Sequence, residues 1–177
     1  LLKRMTDILR HRGPDDTGFY MDDGVGLGNA RLSIIDIEGG HQPIRNEDGT
    51  IHVTYNGEIY NFRELRQTLE TLGHRFYTES DTEIIVHSYE QFGEGFVARL
   101  NGMFAIALWD SRNKKLILAR DRIGIKPLYY SLQDGKVLFA SEFKGILQTS
   151  FPREVDKEAL FAILNLGYFP GDKTLLK

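Results

Sequence analysis

The sequence contains no cysteine. Disulfides, thiolate metal ligands and a cysteine nucleophile are therefore all excluded from these 177 residues. An excess of one charge is also missing. Twenty-two basic against 25 acidic residues leave a net charge of −3, and no unbroken run of Lys and Arg is longer than a pair such as Lys114 and Lys115. Nothing forms the positive stripe that a nucleic-acid surface requires, so no nucleic-acid partner is expected. Long apolar runs are absent as well. The longest spans residues 103–109, far below the roughly 20 residues of a membrane-crossing helix, so no membrane partner is expected. No signal-peptide pattern opens the chain, and the cytoplasm is the expected compartment. Internal repeats, low-complexity tracts and a glycine-rich nucleotide loop are likewise not found. The five histidines, His11, His41, His52, His74 and His87, show no ligand spacing, so no metal site is expected.

What remains is the composition of an ordinary globular protein, 41% hydrophobic and 27% charged. A chain of this length buries about 70% of the surface its unfolded form exposes, so it needs no metal or disulfide to hold a core. Residues 1–10 read as the end of a helix, closed by Gly13 and Pro14. Residues 24–36 are strand-like and turn at Gly39 and Gly40. A period-two β-branched run over 51–55 reads as a strand that Asn56 and Gly57 break. Asn61 with Glu64, and Ser80 with Glu83, have the spacing of capping boxes and head two helices that end at Gly73 and Gly93. A short strand is expected at 75–78 between them. In residues 103–109 both alternating sets are apolar, which predicts a strand buried on both faces. Residues 116–119, 128–131 and 137–140 continue as strands, the last two around a turn at Asp134 and Gly135. Helical segments are expected at 142–147 and 157–166. Helices grouped apart from short, hairpin-spaced strands point to an α+β fold of antiparallel sheets rather than alternating βαβ units. A boundary is expected near residues 149–152, dividing a domain at 1–150 from a connector at 151–177.

Four segments carry candidate chemistry, and each has a plain structural reading. The segment RHRGPDD (10–16) also reads as a charged loop. Arg31 stands at the head of an apolar strand, where a guanidinium can snorkel to solvent. Asn56 and Gly57 form a turn signal, although an Asn side chain beside a Gly backbone N–H is also what an oxyanion hole requires. Asp81, in the segment SDTE, suits a helix dipole.

Together, RHRGPDD, ARLSIID, YNGEIYNF, SDTE, NGMFAIALWD and ARDRIGIKPLYY resemble glutamine-dependent asparagine synthetases, in order and approximate spacing. The resemblance covers nearly the whole chain and is carried most specifically by NGEIYN (56–61) and RDRIGIKPL (120–128). It implies the glutamine amidotransferase domain of that family, an N-terminal-nucleophile hydrolase folded as a four-layer α/β/β/α sandwich. In such enzymes an N-terminal cysteine attacks the glutamine side-chain amide with its own α-amino group as base. The ammonia passes to a synthetase domain that amidates aspartate with ATP and magnesium. Carried over by motif, Asn56 and the Gly57 N–H hold the oxyanion and Arg31 takes the glutamine carboxylate. Asp81 takes the ammonium, Glu58 supports that end, and Leu32, Ser33, Ile34 and Ile35 line the pocket. Such a set selects a zwitterionic amino acid.

The sequence departs from that pattern at its ends. The cysteine and the strand that carries it are expected on the order of twenty residues before Leu1 by the resemblance. The chain opens without methionine, so it is read as a fragment lacking its first strand and unable to hydrolyse glutamine alone. A non-hydrolysing relative of the β-lactam synthetase kind, or an amidotransferase with a sugar or cell-wall acceptor, is the alternative. The expected partners are glutamine and the synthetase domain, with a homodimer compatible. Asp121 and Arg122 are expected to form a structural ion pair.

Overall fold

The computed structural model describes residues 1–32, 36, 39–150, 152–171 and 173–176. They form two compact units, Leu1–Ile146 and Leu147–Lys177.

The first unit is organised around a four-stranded antiparallel sheet in the order β3 (Ile44–Arg45), β4 (Ile51–Ile59), β5 (Gly102–Asp110), β6 (Lys115–Arg120). The doubly apolar run at 103–109 becomes β5, an inner strand whose residues from Phe104 to Asp110 are all buried. Its even-numbered side chains Phe104, Ile106 and Leu108 join Val53, Tyr55 and Ile59 of β4 on one face. Two helices, α2 (Phe62–Thr71) and α3 (Glu83–Phe92), pack on that face through Leu65, Ile85, Val86 and Tyr89. Full burial of each such aliphatic side chain stabilises the fold by about 1.5–3 kcal/mol relative to exposure.

The opposite face of β5 carries Ala107 and Trp109, which pack against Leu27 and Phe139. Those two come from separate antiparallel hairpins, β1 (Asp16–Asp22) with β2 (Val25–Arg31), and β7 (Tyr129–Gln133) with β8 (Lys136–Ala140). Helices α1 (Leu2–Asp7) and α4 (Phe143–Ile146) lie over the hairpins, α1 on β2 and α4 on β8. The layers therefore run helix, sheet, sheet, helix, an α+β fold of antiparallel sheets as expected. Glycine makes one of these contacts possible. A Cβ at Gly28 of β2 would stand 2.4 Å from Thr6 Oγ1 and 3.2 Å from a Leu2 methyl, so α1 settles on bare backbone.

Several local expectations are corrected. The strand at 51–55 does not break at Asn56 and Gly57 but continues to Ile59, with Gly57 opposite Phe104 of β5. A Cβ at Gly57 would lie 2.2 Å from the Met103 carbonyl oxygen, so glycine here serves a close strand approach rather than a turn. Arg31 is the last residue of β2, and the apolar segment expected to follow it at 33–35 lies outside the described residues. Neither capping box forms. Asn61 instead donates to the Arg99 carbonyl oxygen (3.0 Å) and accepts from the Asn101 N–H (3.0 Å). The Glu83 carboxylate accepts from the N–H groups of Tyr77 (2.9 Å) and Thr78 (2.7 Å), which holds 75–78 as irregular chain and not as a strand.

Asp121 and Arg122 make no ion pair among the described residues. The Asp121 carboxylate accepts backbone N–H groups from Phe104 (3.2 Å), Ile123 (3.2 Å), Ile125 (2.9 Å) and Lys126 (3.0 Å). Burial pushes its pKa up, but the Lys126, Ile125 and Phe104 N–H groups outweigh this and hold it at about 2.

In the second unit α5 (Lys157–Leu166) forms as expected. The Asp156 carboxylate caps it by accepting from the N–H groups of Glu158 and Ala159, and Gly167 closes it at φ 77°.

Candidate active site

Period-two alternation in β2 and β4 decides what faces the space between the two sheets. In β2, Leu27, Asn29 and Arg31 share a face, and the Asn29 Nδ2 donates across the gap to Thr54 Oγ1 of β4 (3.0 Å). In β4, Thr54, Asn56 and Glu58 alternate with the core residues Val53, Tyr55 and Ile59. A cavity of about 940 Å³ opens between these elements. Arg31, Leu32, Asn56, Gly57, Glu58 and Asp81 all line it. Six residues spread over fifty positions of sequence are thus brought to one place. Ser33, Ile34 and Ile35, also expected at the pocket, lie outside the described residues.

Asn56 presents a buried Nδ2 with no hydrogen-bond partner among the described residues. Leaving such a donor unsatisfied costs about 1–3 kcal/mol, an expense that a ligand oxygen would remove. Beside it, strand geometry aims the Gly57 N–H. On β4 the N–H groups of Tyr55 and Ile59 point away from β5. The first donates to Gln42 Oε1 (2.7 Å) and the second to Asp81 Oδ2 (3.0 Å). Gly57, midway between them and of the same parity, directs its N–H to that same edge, and neither side chain takes it. Two donors at adjacent positions therefore converge on the cavity, the arrangement that stabilises a developing oxyanion.

Asp81 is 4% exposed. Its Oδ2 accepts from the Tyr55 hydroxyl (2.9 Å) as well as from Ile59, and among the described residues it meets no basic side chain. Burial raises its pKa, against the opposing Ile59 and Tyr55 hydrogen bonds, and the Glu58 carboxylate raises it further. A cationic group entering the cavity would relieve that cost. Arg31 is 7% exposed and its Nη2 donates to the Asp36 carbonyl oxygen (2.7 Å), which steadies a guanidinium at the cavity wall. The cavity thus brings together a guanidinium, a buried carboxylate and two hydrogen-bond donors.

The sequence reading missed Gln42 and Asn29. Gln42 Oε1 accepts from both Tyr55 N–H and Asn29 Nδ2 (3.1 Å), and its Nε2 donates to Thr82 Oγ1 (3.4 Å). One side chain ties β4, β2 and the entry to α3 around the cavity. Asn29 also leaves a buried Oδ1 without a partner there. No local pattern marks these two residues, because their role consists of partners that lie 13 and 40 positions away.

A sandwich of antiparallel sheets between helices, with a cavity at the inner face, places the fold in the amidotransferase class of N-terminal-nucleophile hydrolases. The chain belongs to the glutamine amidotransferase domain family, which it matches over residues 1–177. It is 45% identical over 175 residues to asparagine synthetase [glutamine-hydrolyzing] 1 of Bacillus subtilis (strain 168), covering 99% of this chain and 28% of that protein. With asparagine synthetase [glutamine-hydrolyzing] 3 of Arabidopsis thaliana it shares 52% identity over 139 residues, 78% of this chain and 24% of that one. The chain thus spans about a quarter of the length of these relatives. Among solved structures, glutamine phosphoribosylpyrophosphate amidotransferase from B. subtilis, complexed with ADP and GMP, superposes with a TM-score of 0.59 at 26% identity. That match covers 74% of this chain and 31% of the other. No helix among the described residues is long and apolar enough to cross a membrane.

Proposed function

We propose that this cavity binds glutamine and that the chain is the ammonia-releasing half of an asparagine synthetase. The observation that carries the reading is the buried, unpartnered Asn56 Nδ2 beside the Gly57 N–H, in one cavity with Arg31 and Asp81. The glutamine carboxylate lies on Arg31 and its ammonium on Asp81 with help from Glu58, while the side-chain amide oxygen sits between Asn56 and Gly57. Leu32 adds to the wall.

The nucleophile is a cysteine supplied from outside residues 1–177. Its thiol passes a proton to its own α-amino group and attacks the amide carbon, Asn56 and Gly57 hold the negative oxygen, and that proton goes to the leaving nitrogen as ammonia departs. Water then cleaves the thioester to give glutamate and free thiol. A feature of the cavity supports an extended segment as the carrier. Besides the six residues above, the cavity is bordered by β2 at Gly26 and Gly28 and by β8 at Val137 and Leu138, with Ala105 and Ala107 as its floor. Among the described residues strands β2 and β8 each pair on one side only, so a strand laid between them would find ladder partners on both sides. Beyond the chain, ATP and magnesium act in a synthetase domain that transfers the ammonia to aspartate, and residues 151–177 lead toward it.

Calorimetry of the 177-residue chain with glutamine and glutamate tests the pocket. Binding of glutamine that Asp81→Asn and Arg31→Ala both abolish is the expected result, and glutamine binding untouched by either would sink the assignment. The chain alone is expected to release no glutamate. Extending it with upstream residues that carry the cysteine should restore release.

A further inference from the structure

Outside the cavity, on the helical face, four potential ligands converge from three chain segments. Glu47 comes from the turn between β3 and β4, His74 from the connector after α2, and His87 and Glu90 from successive turns of α3. One ligand atom from each can be chosen so that all lie within 4.8 Å of one another. Both histidines point Nδ1 inward. His87 Nδ1 lies 3.2 Å from Glu90 and 3.4 Å from Glu47, and His74 Nδ1 lies 3.7 Å from Glu90 and 3.8 Å from Glu47. A tetrahedral zinc ion with bonds of about 2.0–2.1 Å separates its ligand atoms by about 3.3–3.4 Å. The His87 pairs, to the Oε2 atoms of Glu90 and Glu47, already match that spacing, and the His74–Glu90 pair needs a contraction of a few tenths of an ångström, whereas the His74 approach to Glu47 is to Oε1. We propose that Glu47, His74, His87 and Glu90 form a binding site for a divalent transition metal of the zinc type.

The surrounding groups strengthen the case, because each ligand's other polar atom is engaged. His87 Nε2 faces the fully buried Glu83 carboxylate at 3.2 Å, the carboxylate–histidine pairing that orients metal-bound imidazoles. Glu90 Oε1 accepts from Asn46 Nδ2 (2.7 Å) and Glu47 Oε1 from the Arg75 N–H (2.9 Å), leaving the Oε2 atoms for the ion. His74 Nε2 faces Gln91 Oε1 at 3.3 Å. Imidazole nitrogens with carboxylate oxygens suit zinc, cobalt or manganese and do not suit magnesium or calcium, which take oxygen alone. The His87 side chain is fully buried while that of Glu47 is 37% exposed, so the ion enters from the Glu47 side. Once bound, it fastens the β3–β4 turn and the connector to α3, whose leading residues Ser80, Asp81 and Thr82 line the cavity. The competing arrangement is a metal-free network in which the same carboxylates surround a protonated His87.

The test uses chelator-treated, untagged 177-residue protein titrated with Zn²⁺ by calorimetry, with Co²⁺ absorption reporting geometry and Mg²⁺ as a negative arm. The expected result is one Zn²⁺ per chain, tetrahedral Co²⁺ bands, and affinity lowered by about tenfold or more in both His74→Ala and Glu47→Gln. His41→Ala, at an exposed histidine outside the cluster, should bind as the parent does. Absence of Zn²⁺ binding to the folded chain overturns the proposal, as does binding that His74→Ala and Glu47→Gln leave unchanged. Should His74→Ala fail to fold, Glu47→Gln decides by the same criterion, since its side chain is partly exposed. The thermal shift on adding Zn²⁺ should then be smaller in that variant than in the parent.

Discussion

Asp81 places stability and ligand binding in opposition at a single residue. Its pKa is raised in the folded protein, chiefly by burial, so its contribution to stability is greatest while it is protonated. That contribution falls as rising pH ionises it through the folded-state value. Asp81→Asn keeps an oxygen for the Tyr55 hydroxyl and the Ile59 N–H but removes the buried charge. Melting temperature should therefore hold or rise while glutamine binding is lost, a pairing that calorimetry and thermal denaturation check together. Asp121 has the opposite sign. Its pKa is lowered from 3.8 to about 2, so its stabilisation is complete above the unfolded value and is lost as pH falls from there toward 2. Asp121→Asn turns an amide toward two of four backbone donors and should cost about 1–3 kcal/mol in urea denaturation at neutral pH. The acid transition of that variant should be shallower than the parent's over the same range. In the cysteine-bearing parent enzyme, Asn56→Ala should lower the rate of glutamine hydrolysis by roughly 10²–10³ and leave glutamine affinity less affected.

At the scale of elements, β4 joins core and chemistry because its two faces are committed differently. Val53, Tyr55 and Ile59 anchor the helices, and Thr54, Asn56 and Glu58 meet the cavity. A strand that ended at Asn56 would leave the clamp on a loop. Continuation to Ile59 puts it inside a ladder with β5, where the backbone direction of Gly57 is fixed. Gly57→Ala should therefore damage fold and site together, because its Cβ meets the Met103 carbonyl across the ladder. A loss of about 1–3 kcal/mol is expected from such overpacking, measurable by urea denaturation. Leu108→Ala, in β5, fully buried and outside the cavity lining, should cost about 2–5 kcal/mol. Its alternation points it at the helices, so the glutamine pocket should keep its affinity under native conditions. These two variants separate damage to the clamp from damage to the core.

At the scale of the molecule, every residue that lines the cavity falls within Leu1–Ile146. A chain ended after Ile146 should consequently bind glutamine as tightly as the 177-residue protein, by calorimetry. Loss of binding on that truncation would assign residues 147–177 a part in the pocket. The relatives are more than three times as long as this chain.

Periodicity and motif wording were sufficient for much of this protein. The doubly apolar run specified an inner strand, the Asp134 and Gly135 turn specified a hairpin, and six motif segments identified the family. These signals are local, and they are legible because the partner that satisfies each is either solvent or a generic core. Arg31, Asn56, Gly57, Glu58 and Asp81 were named by motif, but their meeting in one cavity depends on the pairing of β4 with β5 and on the packing of β2 over β4. Whether Asn56 and Gly57 turn the chain or continue the strand was settled by the Cβ space at Gly57 and the pairing of β4 with β5, neither of which a sequence contains. The same holds for Gln42, Asn29 and the cluster of Glu47, His74, His87 and Glu90. Their spacing along the chain is uninformative because their geometry is made by the turn, the connector and the helix that folding brings together.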